Sequence, residues 1–147
     1  MKRHPVLADL SRDHHKALVT AQYIKKGAPT FRGMPVSLEG KKEYTLRFYK
    51  EHLVDHFLKE ENVLFPAVQK IIPGTRALID ELIGEHQAMK MLIQKLEEDD
   101  DSENTLNDLG FLLEAHIRKE ERVFFQEIQE ILTDDQFHEI ALHMKSR

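Results

Sequence analysis

Two stretches sixty positions apart carry the same histidine and carboxylate spacing in nearly the same apolar setting. The first reads HFLKEENVLFPAVQKII from His56 to Ile72 and the second HIRKEERVFFQEIQEIL from His116 to Leu132; eight of the seventeen aligned residues are identical. On a helix, residues four apart stand one turn above each other on one face. His56 with Glu60, and His116 with Glu120, are therefore paired N and O donors. Helical bundles build metal centres from such sets.

A repeat of this length implies two related hairpins, so the first helix of each should also contribute at the matching depth. Asp13-His14 and Glu85-His86 meet that expectation, each an acidic residue followed by a histidine in a similar apolar pattern. Leu10, Leu7 and Val6 precede His14 at four, seven and eight residues, as Leu82, Ile79 and Leu78 precede His86. At about 100° per residue, His14 lies near the centre of the arc set by Leu7, Leu10, Ala17, Leu18 and Ala21, whereas His15 points off it. His14 is thus expected inside and His15 outside.

A buried histidine by itself is more often a hydrogen-bonded core residue than a ligand, and HxxxE arises by chance on charged helices. Six such groups, from four helices and related by a repeat, are another matter. Burying His14, His56, Glu60, His86, His116 and Glu120 without a shared partner is too costly. A pair of metal ions is the economical partner. Two carboxylates can bridge the ions while two imidazoles serve each, which favours iron or manganese, with zinc also able to substitute. An oxo or hydroxo bridge would complete each shell to five ligands and leave a position open on iron. The absence of cysteine excludes iron–sulfur clusters and cysteine-rich zinc sites.

The elements that must position these residues follow from composition. The 147 residues are 32% charged, 41% hydrophobic and 7% aromatic, without strand-like alternation, which predicts one all-helical domain over 1–147. Four long helices are expected: Pro5 to Lys26, with Pro5 in the first turn; Leu38 to Lys70, bent near Pro66; a third capped by Thr75 and reaching Glu98; and Thr105 to Leu132. Thr133-Asp134-Asp135-Gln136 has the form of a capping box opening a short fifth helix. The acidic run from Glu97 to Asn104 lacks the spacing of a calcium loop and reads as a solvated turn. A net charge of -5 with no basic stripe argues against nucleic acid. No segment reaches membrane-spanning length and the first residues do not read as a secretory signal, so the expected address is the cytoplasm, with no membrane partner.

Through HxxxEE and the following Leu64-Phe65-Pro66, and over nearly the whole chain, the sequence resembles the hemerythrin-like family of HHE cation-binding domains. The resemblance implies an antiparallel up-down four-helix bundle around a non-haem di-iron centre. The family ligands fall on His14, His56, Glu60, His86, His116 and Glu120. The family's oxygen carriers have a further histidine four residues after the third-helix one, where this chain has Lys90, and close on HxxxxD, where it has His116 and Glu120 in HxxxE. His52, one turn before His56, is the nearest substitute. A fifth ligand, a supporting hydrogen bond or proton relay, and an exposed histidine are all open to it; the reading favours the relay or support.

Among the rest, His4, His15, His138 and His143 are expected at the surface, and Glu61 and Glu121 in pairs with Lys or Arg, with a supporting role behind the ligands also open to them. Phe48, Tyr49, Phe57, Phe65, Phe111, Phe124 and Phe125 are expected in the core, some of them drying the site. Three functions fit. The leading one is a di-iron protein binding dioxygen or nitric oxide for sensing, storage or delivery. The others are a redox enzyme removing peroxide or nitric oxide, and an iron-handling or regulatory module.

Overall fold

The computed structural model describes residues 2–145, and among these the chain is helical with no strand. Five helices follow in order: α1 (Pro5–Tyr23), α2 (38–71), α3 (Arg76–Glu97), α4 (102–131) and α5 (Asp134–Lys145). No helix among the described residues is long and apolar enough to cross a membrane.

The helix ends follow local chemistry. Pro5 sits in the first turn of α1, and the ring of His4 caps it by accepting a hydrogen bond from the Val6 amide. The other edge of that ring reaches Asp134 and its face stacks on Phe137 at 3.9 Å, so His4 fastens α5 to the start of α1 and is no free surface residue. α1 stops at Tyr23, three residues short of the expected end, before Gly27 turns the chain at φ +73°. The Thr75 hydroxyl donates to the Ile72 carbonyl and does not cap α3. α4 begins three residues early, at Ser102, because Asp99 and Asp101 both adopt left-handed backbone and complete the reversal sooner. The capping box is as expected: Thr133 N–H donates to Gln136, and Gln136 N–H to Thr133 Oγ.

Two apolar clusters lie on either side of a polar layer. One gathers Leu7, Leu10, Val68, Leu82, Phe124 and Phe137; the other gathers Ala17, Ile24, Phe48, Met89, Leu106 and Leu113. α1 and α3 run from the first cluster to the second, and α2 and α4 run back. Each long helix therefore crosses the layer once, at His14, His56 with Glu60, His86, and His116 with Glu120. α4 lies against both α1 and α3.

α2 and α4 are not uniform. Each widens into a π turn at the motif glutamate, over Glu60–Leu64 and Glu120–Phe124. Pro66 follows the first, but Gln126 holds the matching place after the second, so proline is not the cause. The widening belongs to the motif itself, as π turns at functional sites commonly do. α2 has one more, over Tyr49–Leu53, without a counterpart in the other half.

Candidate metal centre

All six residues singled out in the sequence are buried and meet in the layer between the two clusters. Their donor atoms form two four-membered groups, His14, His56, Glu60, Glu120 and Glu60, His86, His116, Glu120, each with its atoms within 4.8 Å of one another. Both glutamates belong to both groups. Nε2 of His14 lies 3.1 Å from Nε2 of His56 and 3.2 Å from Glu120; Nε2 of His56 lies 3.5 Å from Glu60. Across the layer, Nε2 of His86 is 3.3 Å from Glu60 and Nε2 of His116 is 3.4 Å from Glu120. Neighbouring donors about 2.1 Å from one ion stand about 3.0–3.6 Å apart, so these separations fit donors that share an ion.

The inner atoms also lack what buried polar atoms normally have. All four carboxylate oxygens of Glu60 and Glu120, and Nε2 of His86 and His116, are buried without a hydrogen-bond partner. Orphaned buried groups are rare and costly. Six of them converging on one layer fit a cation.

Titration follows the same crowding. Burial and the neighbouring Glu120 carboxylate push Glu60 well above the usual range. Glu120 itself is held low: burial raises it, but the Glu60 carboxyl, His14 and His116 outweigh that. Burial works against a charge on His14, yet Glu120 and Glu121 raise it to about 9. His86 is pushed down to about 3 by burial and by His116.

The outer nitrogens are all engaged. Nδ1 of His14 meets Glu121 at 2.5 Å, that of His56 meets Asp13 at 3.1 Å, that of His86 meets Glu61 at 2.8 Å and that of His116 meets Glu85 at 2.7 Å. An ionised carboxylate only accepts, so each Nδ1 donates, and in the neutral ring each Nε2 is left with a lone pair directed inward. Burial raises all four carboxylates; hydrogen bonds from His56, His116 and His14 nevertheless hold Asp13, Glu85 and Glu121 below their usual values, whereas Glu61 stays raised. For Glu61 and Glu121 the supporting role therefore outranks the expected surface pairing, although Glu121 also pairs with Arg3 at 3.0 Å. The signal was in the sequence: an acidic residue precedes His14 and His86, and another follows Glu60 and Glu120, in both halves.

His15 is exposed, as its phase requires. His52 is exposed too, packed on the Phe48 ring at 5.1 Å, and takes no part in the centre. The π turn over Tyr49–Leu53 rotates it off the face it would share with His56, and buried Leu53 takes the inward place. Phe111, expected in the core, is 56% exposed beneath Lys25; Leu109 and Leu113 hold the inward positions of that stretch. Phe57 stacks on His86 at 3.8 Å, and Phe125 on His14 at 5.5 Å, drying the layer from both clusters.

Beside the His14, His56 and His116 rings is a void of about 10 Å³, also lined by Ala17, Leu53, Phe57, Leu113 and Ile117. It has room for about one water-sized molecule. Apart from the histidines, Asp13 is its one polar wall.

The family profile of the hemerythrin HHE cation binding domain matches residues 6–128. No curated protein and no solved structure matches the chain.

Proposed function

We propose that this chain, which belongs to the hemerythrin HHE cation-binding family, is a single-domain di-iron protein that binds dioxygen or nitric oxide for sensing, storage or delivery. The observation that carries the reading is the pair of four-donor groups sharing both Glu60 and Glu120. Shared carboxylates suit a pair of ions, and four imidazoles with two carboxylates suit iron, with manganese or zinc as substitutes. The four long helices, running alternately between the two clusters, are read as an antiparallel up-down bundle, with 1–147 as one domain and the cytoplasm as its address.

The residues divide the work. His14, His56, His86 and His116 would hold the ions through Nε2, and Glu60 and Glu120 would bridge them. Bound iron would supply an open coordination position and a one-electron change at each ion. Leu53, Leu113 and Ile117 exclude water, and the small void beside three of the rings favours a diatomic molecule over a larger substrate. A second reading, redox removal of peroxide or nitric oxide, is favoured by Asp13, whose 45% exposed carboxylate accepts from His56 at the edge of that void.

Metal analysis of protein produced in iron-rich medium, with optical spectra under and without oxygen, tests this. Two irons per chain and a spectral change that reverses when oxygen is removed are expected. Sustained turnover of peroxide or nitric oxide would select the second reading, and a chain that retains no iron would end both.

A further inference from the structure

The outer hydrogen bonds of the centre close into a circuit. The histidine of α1 donates to α4 (His14 to Glu121), that of α4 to α3 (His116 to Glu85), that of α3 to α2 (His86 to Glu61) and that of α2 back to α1 (His56 to Asp13). Every long helix gives one histidine and one carboxylate, and no carboxylate serves the histidine of its own helix. Two of the carboxylates are fixed in turn: Glu121 also accepts from Ser11 at 2.7 Å and pairs with Arg3, and Glu85 pairs with Lys119 at 2.5 Å.

Two physical effects follow. A ring held by Nδ1 cannot swing its Nε2 out of the layer, and an imidazole donating to a carboxylate gains electron density at its other nitrogen. Counting Glu60 and Glu120, six carboxylates surround the layer. Negative charge gathered so closely favours the more highly charged of two metal states, most strongly from the fully buried Glu60 and Glu120, which solvent does not screen.

We infer that Asp13, Glu61, Glu85 and Glu121 are positioning residues of the metal centre, which aim the four histidines inward and, through the same bonds, bias bound iron toward its oxidised state. The redox half of this rests on the di-iron reading; the aiming half applies to any metal.

The test pairs two substitutions at each position. Asp13→Asn, Glu61→Gln, Glu85→Gln and Glu121→Gln keep an oxygen acceptor of the same shape but remove the charge, whereas alanine removes both. Zinc affinity is measured by competition with a chromophoric chelator, and the reduction potential of iron-loaded protein by spectroelectrochemistry. The amide variants should hold zinc within a few-fold of the parent and show a potential shifted positive. The alanine variants should bind zinc about 10- to 100-fold more weakly. Parental zinc affinity in the alanine variants overturns the aiming role, and a parental potential in the amide variants overturns the redox bias. Should an alanine variant fail to fold, a bulkier substitution that also removes the acceptor, Asp13→Leu or Glu61→Met, Glu85→Met or Glu121→Met, takes its place in the zinc comparison, and the amide variant still decides the redox bias. A parent that binds two zinc ions but no iron refutes the di-iron reading, and with it the redox bias, while the zinc comparison stands.

Discussion

Nε2 of His14 and Nε2 of His56 face each other 3.1 Å apart, while Nδ1 of each ring donates to a carboxylate of another helix. With Nδ1 committed as donor, both facing nitrogens of neutral rings are acceptors, and two acceptors at that distance repel. Only a cation between them resolves the contact. Glu120 and Glu121 raise the affinity of His14 for a proton, to about 9, and a protonated His14 can donate across this contact when no metal is bound.

Because Glu60 and Glu120 each belong to both donor groups, losing either should empty both. Glu60→Ala or Glu120→Ala is expected to lower the two occupancies together in metal analysis. A variant that kept two ions and an unchanged spectrum would contradict bridging.

His14→Ala should lose metal, and His15→Ala and His52→Ala should not, since both of the latter side chains are exposed. Metal content of the three purified variants, compared with the parent, checks this. Loss of metal from His52→Ala would mean that the π turn ahead of His56 does not exclude it.

Gly110 sits where α4 crosses α1, and a Cβ there would lie 2.7 Å from the Ala21 carbonyl oxygen. That oxygen is backbone and cannot step aside, so Gly110→Ala should cost about 1–3 kcal/mol. The melting temperature is expected to fall by about 2–4 °C for each kcal/mol.

Glu114 is held down to about 2 by hydrogen bonds from Lys25, Arg118 and Gln22. A carboxylate lowered on folding stabilises the protein above its ordinary value of 4.5, and the benefit disappears as pH falls toward 2. The network is near the surface, so its worth is about 0.2–1 kcal/mol. Urea midpoints of Glu114→Gln should therefore lie below the parent's at pH 7 and converge with them near pH 2. A constant gap across that window would assign the loss to packing.

The centre itself was legible because metal donors four apart on an amphipathic helix are a statement about one face, and the apolar arc around His14 chose between it and His15. The supporting carboxylates left a recurrence in the sequence but not their pairing. Asp13 and Glu85 stand about 100° from the inward direction on their own helices, and only the placement of the neighbouring helix brings a histidine to them. Nor could periodicity reveal the π turns, since counting at 3.6 residues per turn assumes that no residue is added. His52 was misplaced for that reason. Phe111 failed differently: hydrophobic composition says that a side chain can be buried, not that the adjoining helix leaves it room beside Gly110.

The widened turns at Glu60–Leu64 and Glu120–Phe124 also set where these helices open most readily. An ordinary helix frays from its ends, but a turn whose hydrogen bonds reach one residue further than their neighbours' is a weak point in the middle. Unlike the further π turn over Tyr49–Leu53, these two begin at the glutamates that would bridge the ions. Occupancy of the centre would therefore be written into deuterium uptake: the mid-helix amides of 60–64 and 120–124 should exchange early when the protein is stripped, and late once an ion pins the carboxylates on which those turns begin.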